Sequence, residues 1–156
     1  MLNGKFGADL DTANRGLAYG DGVFTTMAWR HQKIEFLSEH LLRLNNDAGS
    51  LYLSFDEREL SFELDRFVAY LEGRNISQGI IKIILFRESS YRGYRAEKNA
   101  KAQRLLIWQA LPEAIELRRE RGVHLRVCDY RLSQQSLAGV KHLNRLDQVL
   151  ARLEWQ

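Results

Sequence analysis

Two apolar runs near the N-terminus predict a β-hairpin. The first, Val23 to Trp29, is rich in β-forming residues, and the second occupies residues 33–37 after the polar pair His31 and Gln32. Two such runs joined by a short polar turn are typical of a hairpin. The glycine-rich segment 15–22 precedes them, and its glycine spacing matches neither common nucleotide-binding motif. We expect a loop there, either a plain turn or a close approach to a ligand.

Two helices are predicted next, because apolar residues recur at helical spacing in both segments. Ser38 is the candidate N-cap of the first helix. The second is expected to open at a capping box formed by Ser54 and Glu57 and to end near Gly73. The apolar faces consist of Leu37, Leu41, Leu44, Ala48 and Leu51 in the first helix and Leu60, Leu64, Phe67 and Leu71 in the second.

Three later segments have strand character. Residues 80–86 are almost continuously apolar, which predicts a strand buried on both faces. A second apolar run covers residues 105–110, and residues 123–127 alternate, as in a strand with one face in water. The polar stretch 88–101, between the first two of these segments, predicts a long loop. A short helix is expected after Pro112. This order favours an α+β fold in which helices cover one side of a mainly antiparallel sheet.

Composition narrows the class of protein. The 156 residues are 45% hydrophobic and 28% charged, values typical of a globular domain that can bury a core. The net charge of +3 comes from interspersed signs without a basic stripe, so nucleic-acid binding is not favoured. No signal peptide or apolar run of membrane-spanning length is visible, and we expect a cytoplasmic protein. Cys128 is the only cysteine, and the histidine spacings do not suggest a metal site.

Lys141 is the main candidate for chemistry. It follows small and apolar residues and stands just before a predicted helix, which Asn144 can cap and whose first turn includes Asp147. A lysine in such a position can lose solvation, which lowers its pKa and makes the amine a usable nucleophile. The alternative is an ordinary surface lysine, because most lysines are exposed.

Three polar residues earlier in the chain are further candidates. Thr25 and Thr26 lie within the first predicted strand, where alternation places one hydroxyl on each face of the sheet. Either a hydroxyl points into a site, or the two threonines reflect β-propensity alone. Arg43 follows His40 by three residues on the first helix. Its guanidinium either extends into solvent or turns inward to bind a phosphate with two hydrogen bonds.

Four motifs taken together resemble a known family. They are GDGVFTT at residues 20–26, HLLRL at 40–44, RGY at 92–94 and AGVKHLNRLDQV at 138–149. In this order and at similar spacing they resemble the 4-amino-4-deoxychorismate lyases, which are fold-type IV pyridoxal-phosphate enzymes of folate biosynthesis. That family is related to the branched-chain and D-amino-acid aminotransferases. The last motif is long and specific, whereas the glycine loop is shared more widely.

The resemblance implies a role for each matching residue. Lys141 would bind pyridoxal phosphate covalently, Arg43 would hold its phosphate, and Thr26 would lie near the reacting carbon. Arg92 and Tyr94 would belong to a loop at the substrate mouth. The implied reaction converts 4-amino-4-deoxychorismate into 4-aminobenzoate and pyruvate, in a homodimeric enzyme that acts on this small molecule.

The resemblance also implies a domain division. Residues 1–112 would form the N-terminal α+β domain, and residues 113–156 the linker and the start of a second domain that supplies further cofactor contacts. Since the remainder of that domain is absent from the sequence, we expect weak cofactor binding, little lyase activity and an exposed apolar surface. The alternatives are a D-amino-acid or branched-chain aminotransferase, or a non-enzymatic remnant or assembly partner.

Overall fold

The computed structural model describes residues 1–88, 93–132 and 136–155. Within this part of the chain a five-stranded sheet has the strand order β2-β1-β4-β5-β3. The β1–β2, β1–β4 and β4–β5 pairs are antiparallel, and only β3–β5 is parallel. The strands are β1 (Gly22–Arg30), β2 (Lys33–Ile34), β3 (Leu53–Ser54), β4 (Gly79–Arg87) and β5 (Ala100–Gln109), and the helices are α1 (Arg15–Tyr19), α2 (Leu37–Ser50), α3 (Glu57–Glu72), α4 (Ile115–Arg121) and α5 (Leu146–Leu153). The predicted α+β fold is confirmed.

The predicted hairpin is β1 followed by β2. Its two turn residues, His31 and Gln32, have φ values of 49° and 62°. Two successive left-handed residues are typical of the tight turn whose twist matches that of antiparallel strands. The glycine-rich segment before the hairpin is not loop throughout, because α1 occupies its first part.

The core lies between one face of the sheet and the long helices α2 and α3. Alternate residues of β1 and β4 point into it, and the predicted apolar faces of both helices pack against them. The buried core residues include Val23, Met27, Trp29, Leu44, Ala48, Leu60, Leu64, Phe67, Leu71, Ile81, Ile83 and Leu85. Both helix faces were predicted correctly, since a helical spacing of apolar residues buries one side of each helix.

The second face of the sheet is only partly covered. Along β4, Ile80, Lys82 and Ile84 are half-buried, while the residues between them are buried. The prediction that residues 80–86 are buried on both faces was therefore wrong. Lys82 explains the difference, because a charged side chain in the middle of the run must keep contact with solvent.

The predicted helix caps were less accurate than the helices. The first of the two predicted long helices is α2, which begins at Leu37, so Ser38 is not its N-cap. Ser54 belongs to β3, and Asp56 caps the second of these helices, α3, by accepting hydrogen bonds from two backbone N–H groups. The last helix begins at Leu146, without a capping bond from Asn144. Several polar residues lie near each helix start, and chain direction decides which of them can reach the free N–H groups.

Residues 123–127 do not form the predicted strand. Their apolar side chains are instead exposed, with Leu125 at 86% and Val127 at 92%. A strand needs a neighbour for its backbone hydrogen bonds, and no described segment pairs with this one. In the described part of the chain, no helix has the length and apolar character needed to cross a membrane.

Candidate active site

The lysine motif lies along the first residues of β1. The N–H of Phe24 donates to the carbonyl of Lys141 at 3.0 Å, and the N–H of Leu143 donates to the carbonyl of Gly22 at 2.9 Å. Val23 and His142 lie opposite each other in an isolated antiparallel bridge. This register pairs Lys141 with Phe24, and the lysine Nζ is 4.8 Å from the centroid of the Phe24 ring. Lys141 therefore extends over the partly covered face of the sheet.

The glycine loop makes room for this contact. Gly20 has a φ of 66°, and a Cβ there would be 3.2 Å from the backbone nitrogen of Asn144. A Cβ on Gly22 would be 2.4 Å from the carbonyl oxygen of Leu85 and 2.8 Å from the side chain of Leu143. The separations at Gly22 are too short for any Cβ, and the one at Gly20 is tight and combined with a left-handed φ, so both positions favour glycine. The close approach is thus to the chain's own lysine motif, which neither of the two readings of this loop anticipated.

Lys141 is half-buried, and its surroundings favour the neutral amine. Burial lowers its pKa first, followed by the nearby cations Arg43, Arg145 and Lys82, while the carboxylate of Asp47 raises it. Asp47 is itself buried on α2 and accepts a hydrogen bond from the backbone N–H of Lys141 at 3.2 Å. A lysine with a lowered pKa has a larger fraction of amine that can attack a carbonyl carbon.

Arg43 reaches back from α2 to β1. Its Nη2 donates to the hydroxyl of Thr25 at 2.8 Å, and that hydroxyl lies 2.7 Å from Nδ1 of His40. Arg43 Nη2 also lies 3.1 Å from His40 Nδ1. Because a guanidinium only donates, Nδ1 acts as an acceptor and the imidazole is neutral. Burial and the cations Arg43 and Lys141 lower the pKa of His40 in agreement with this state.

Arg43 keeps donors that could hold an anion. Among the described residues only its Nη2 is engaged, and the side chain is exposed. The remaining guanidinium N–H groups form the planar fork that suits a phosphate. Lys141 suits an aldehyde and Arg43 suits a phosphate, so the two residues together fit a phosphorylated aldehyde.

The two threonines lie on opposite faces of β1, as alternation predicts. Thr26 is exposed on the face that carries Phe24 and Lys141, whereas Thr25 is fully buried on the core side. Both threonines were candidates in the sequence, and the resemblance implied a role for Thr26 alone, but Thr25 makes the contact with Arg43. The alternation itself could have found it, since apolar Val23 and Met27 place Thr25 on the face that α2 covers.

The predicted mouth loop is described in part. Tyr94 is 88% exposed, and its ring centroid lies 5.4 Å from that of Tyr19. Arg92 lies outside the described residues. The structure thus places Tyr94 on the surface beside α1 and brings it into no described contact with Lys141.

Asp21 connects the glycine loop to this mouth loop, a role that nothing in the sequence indicated. Its Oδ2 accepts from Nε of Arg15 at 2.8 Å and from Nε of Arg87 at 3.0 Å. Arg15 also donates to the carbonyl of Gly93, and Arg87 donates to that of Glu97. Two nearly buried arginines therefore tie the loop to the start of β1.

Comparison with known proteins places this arrangement in a family. The family model for amino-transferase class IV matches residues 22–156. An aminodeoxychorismate lyase from Vibrio harveyi is 30% identical over 154 residues, which cover 98% of this chain and 55% of that protein. The crystal structure of 4-amino-4-deoxychorismate lyase from Pseudomonas aeruginosa has a TM-score of 0.88 and 40% identity, covering 100% of this chain and 56% of that one.

A more distant structure has the same fold. A hypothetical aminotransferase from Mycobacterium tuberculosis in its PLP-bound form has a TM-score of 0.78 at 18% identity, covering 96% of this chain and 54% of that one. The chain thus spans about half the length of the relatives it matches. Members of the matched family are enzymes that act on small molecules. The chain belongs to the class IV aminotransferase family.

Proposed function

We propose that this chain carries the reactive lysine of a pyridoxal-phosphate-dependent lyase that acts on 4-amino-4-deoxychorismate. The observation that supports the proposal most directly is the placement of Lys141, half-buried against Phe24 with its pKa lowered by burial and by Arg43. The 40% identity to the lyase from Pseudomonas aeruginosa favours the lyase.

Each residue of the site has a task in this proposal. Lys141 would hold pyridoxal phosphate through its neutral amine, and Arg43 would hold the phosphate with its free N–H groups. Pyridoxal phosphate, when bound, supplies a ring that accepts electrons from the substrate. Lys141 would take a proton from the amine-bearing carbon of the substrate as a general base. Thr26, on the same face, offers a hydroxyl near that carbon.

The remaining parts of the proposal concern the enzyme as a whole. Arg92 and Tyr94 contribute to the substrate mouth, and pyruvate leaves as 4-aminobenzoate forms. Residues 1–112 form the N-terminal domain, and residues 113–156 form the linker and the beginning of the cofactor domain. The enzyme functions as a cytoplasmic homodimer in folate biosynthesis.

Covalent trapping tests the role of Lys141. The purified chain is mixed with pyridoxal phosphate and reduced with borohydride, and the modified lysines are located by peptide mass spectrometry. Reduction also traps a weakly bound aldehyde, so we expect modification concentrated on Lys141 and its loss in Lys141→Ala. Lys33→Ala, which removes an exposed lysine of β2, should leave the pattern unchanged. Modification spread evenly over surface lysines would refute the proposal.

The family also favours a second candidate, an aminotransferase acting on a D- or branched-chain amino acid. Product analysis separates the two reactions. Formation of 4-aminobenzoate and pyruvate from 4-amino-4-deoxychorismate supports the lyase. Amino-group transfer to a keto acid, without those products, supports the aminotransferase.

A further inference from the structure

Three polar atoms form a closed triangle between α2 and β1. Nη2 of Arg43 is 2.8 Å from Oγ1 of Thr25 and 3.1 Å from Nδ1 of His40, and the threonine oxygen is 2.7 Å from that nitrogen. Each atom therefore lies within hydrogen-bond distance of the other two. Such a triangle can be satisfied only if donors and acceptors match, so it constrains where the imidazole carries its proton.

The chemistry of the three groups fixes the donors and acceptors. A guanidinium only donates, so Nη2 of Arg43 donates both to the hydroxyl oxygen of Thr25 and to Nδ1 of His40. The hydroxyl of Thr25 then donates its own hydrogen to Nδ1. Nδ1 therefore accepts twice and carries no proton. The triangle is complete only when His40 is neutral with its hydrogen on Nε2.

The two partners of Arg43 are better anchored than Arg43 itself. Thr25 is fully buried on β1, and His40 is half-buried one turn earlier on α2. The side chain of Arg43 is exposed. A long exposed side chain ordinarily samples several rotamers, and ordering it when a ligand binds lowers the affinity. The triangle orders the guanidinium before any anion arrives.

Protonation of His40 would break the triangle. A proton on Nδ1 turns the acceptor into a donor and brings a second positive charge to 3.1 Å from Nη2 of Arg43. Burial contributes most to lowering the pKa of His40, followed by Arg43 on α2 and by Lys141. Glu39 on α2 raises that pKa, and β1 contributes the uncharged hydroxyl of Thr25. The exposed arginine is the member that can move away.

We propose that His40 is a positioning residue for anion binding, whose neutral imidazole, together with Thr25, holds Arg43 ready for a phosphate and whose protonation releases it. This inference rests on the proposed function, in which Arg43 holds the cofactor phosphate. It gives an unusual pH dependence. Adding a positive charge beside an anion site normally strengthens binding, whereas here it weakens binding because the arginine is no longer held.

Sulfate binding to the chain without cofactor measures this effect, because sulfate has the shape of phosphate and does not titrate near neutral pH. Affinities come from NMR titrations at about pH 8, where an imidazole is neutral. We expect His40→Phe to bind sulfate about threefold to tenfold more weakly, since its arginine must be immobilised on binding. His40→Asn places an acceptor oxygen near the position of Nδ1 and should restore the affinity.

Lowering the pH separates positioning from charge. His40→Asn keeps its acceptor at every pH, and protonation of Lys141 affects this variant and the unmodified chain alike. The two should bind sulfate equally at about pH 8. Once the NMR signals of His40 show a protonated imidazole, the unmodified chain should bind about threefold to tenfold more weakly than His40→Asn. Tighter binding by the unmodified chain would mean that charge alone acts, and would overturn the inference.

Thr25→Val tests the same triangle from β1. It removes the hydroxyl at nearly constant volume and should weaken sulfate binding in the same direction as His40→Phe, which guards against misfolding of either variant. His31→Asn is the matched control. His31 is an exposed histidine in the hairpin turn with a φ of 49°, a conformation that asparagine tolerates. This control should keep both the affinity and the pH dependence of the unmodified chain.

Three results would each overturn the inference. One is unchanged sulfate binding in both His40→Phe and Thr25→Val. Another is an equal loss in His31→Asn. The third is a nitrogen NMR spectrum that places the hydrogen of the neutral His40 on Nδ1, where it would exclude the contact with Arg43.

Arg43→Gln and the trapping experiment keep the two proposals apart. Arg43→Gln should weaken sulfate binding at least as much as His40→Phe, and unchanged binding would overturn the inference, since no arginine would need positioning. If Lys141 is not modified selectively but His40→Phe weakens sulfate binding, the proposed function fails and the role of His40 stands. If Lys141 is modified selectively and His40→Phe has no effect, the role of His40 fails alone.

Discussion

At the scale of single residues, the chemistry of Lys141 depends on the charges around it. Arg43 approaches from α2 and Arg145 from the start of α5, and both act with burial to lower the pKa of Lys141. Asp47, on the same helix as Arg43, acts in the opposite direction. Of these two residues on α2, Arg43 therefore lowers the pKa of Lys141 and Asp47 raises it.

Substitutions of these residues should shift the pKa of Lys141 in opposite directions. Arg43→Gln removes a cation that disfavours the ammonium form, so the pKa should rise and the amine should become reactive only at higher pH. Asp47→Asn removes a carboxylate that favours the ammonium form, so the pKa should fall. The measurement is the pH dependence of Lys141 acylation, followed by peptide mass spectrometry.

Arg74→Gln is the control for these two variants. The guanidinium of Arg74 lies 3.6 Å from the centroid of the Tyr70 ring and does not contribute to the pKa of Lys141. Its acylation profile should match that of the unmodified chain. Shifts of the same sign in Arg43→Gln and Asp47→Asn would contradict the electrostatic account.

At the scale of elements, the contact between the glycine loop and the lysine motif holds the site together. Phe24 and Leu143 each donate a backbone hydrogen bond across this contact. Gly20 permits the contact through its left-handed φ and its missing Cβ. The loop thus has a structural task in positioning Lys141.

Gly20→Ala should therefore separate these two segments. The substitution adds left-handed strain of about 1–2 kcal/mol and a tight contact of 3.2 Å with the backbone nitrogen of Asn144, which must move slightly to accept it. We expect faster amide hydrogen exchange at Phe24 and Leu143 and a lower free energy of unfolding in urea.

Gly7→Ala separates strain from contact. Gly7 has a φ of 65°, but a Cβ there would meet no atom within 4 Å. This variant should lose only the free energy of the strain, with unchanged exchange at Phe24 and Leu143. Equal exchange in both variants would show that the close approach to Asn144 has no effect on the contact.

The helices, strands and caps differ in how well the sequence predicts them. The hairpin and the buried faces of α2 and α3 were predicted because each depends on a local repeat of apolar residues. The caps at Ser38 and Ser54 were wrong, since several polar residues compete within a few positions. The strand expected at residues 123–127 was wrong because pairing requires a distant partner.

At the scale of the whole molecule, the apolar surface is unevenly distributed. One face of the sheet is covered by α2 and α3, whereas α5 has no buried residue and residues 123–127 are exposed. The exposed apolar side chains of these two segments are Val123, Leu125, Val127, Leu146, Val149, Leu150 and Leu153. The expected exposure of apolar surface is confirmed for this part of the chain.

Such a surface should cause self-association and binding of a hydrophobic dye. Leu125→Lys introduces a charge at an 86% exposed position, so we expect less association in sedimentation velocity runs and weaker dye fluorescence. The free energy of unfolding should change by no more than about 0.5 kcal/mol, because no packing is lost.

Leu42→Lys is the comparison, since Leu42 is a 64% exposed leucine on α2 and belongs to neither of these two segments. Its effect on association should be smaller. If both variants reduce association equally, net charge rather than the apolar surface is responsible.

The sequence alone determined the hairpin, the apolar faces of α2 and α3, the lysine motif and the opposite orientation of Thr25 and Thr26, because each of these depends on residues close together in the chain. Only the tertiary structure decided that Arg43 binds Thr25, that Lys141 lies against Phe24, and that Lys82 and Arg145 join it there. Those contacts join residues up to more than a hundred positions apart. They depend on strand register and helix packing, which no local pattern specifies.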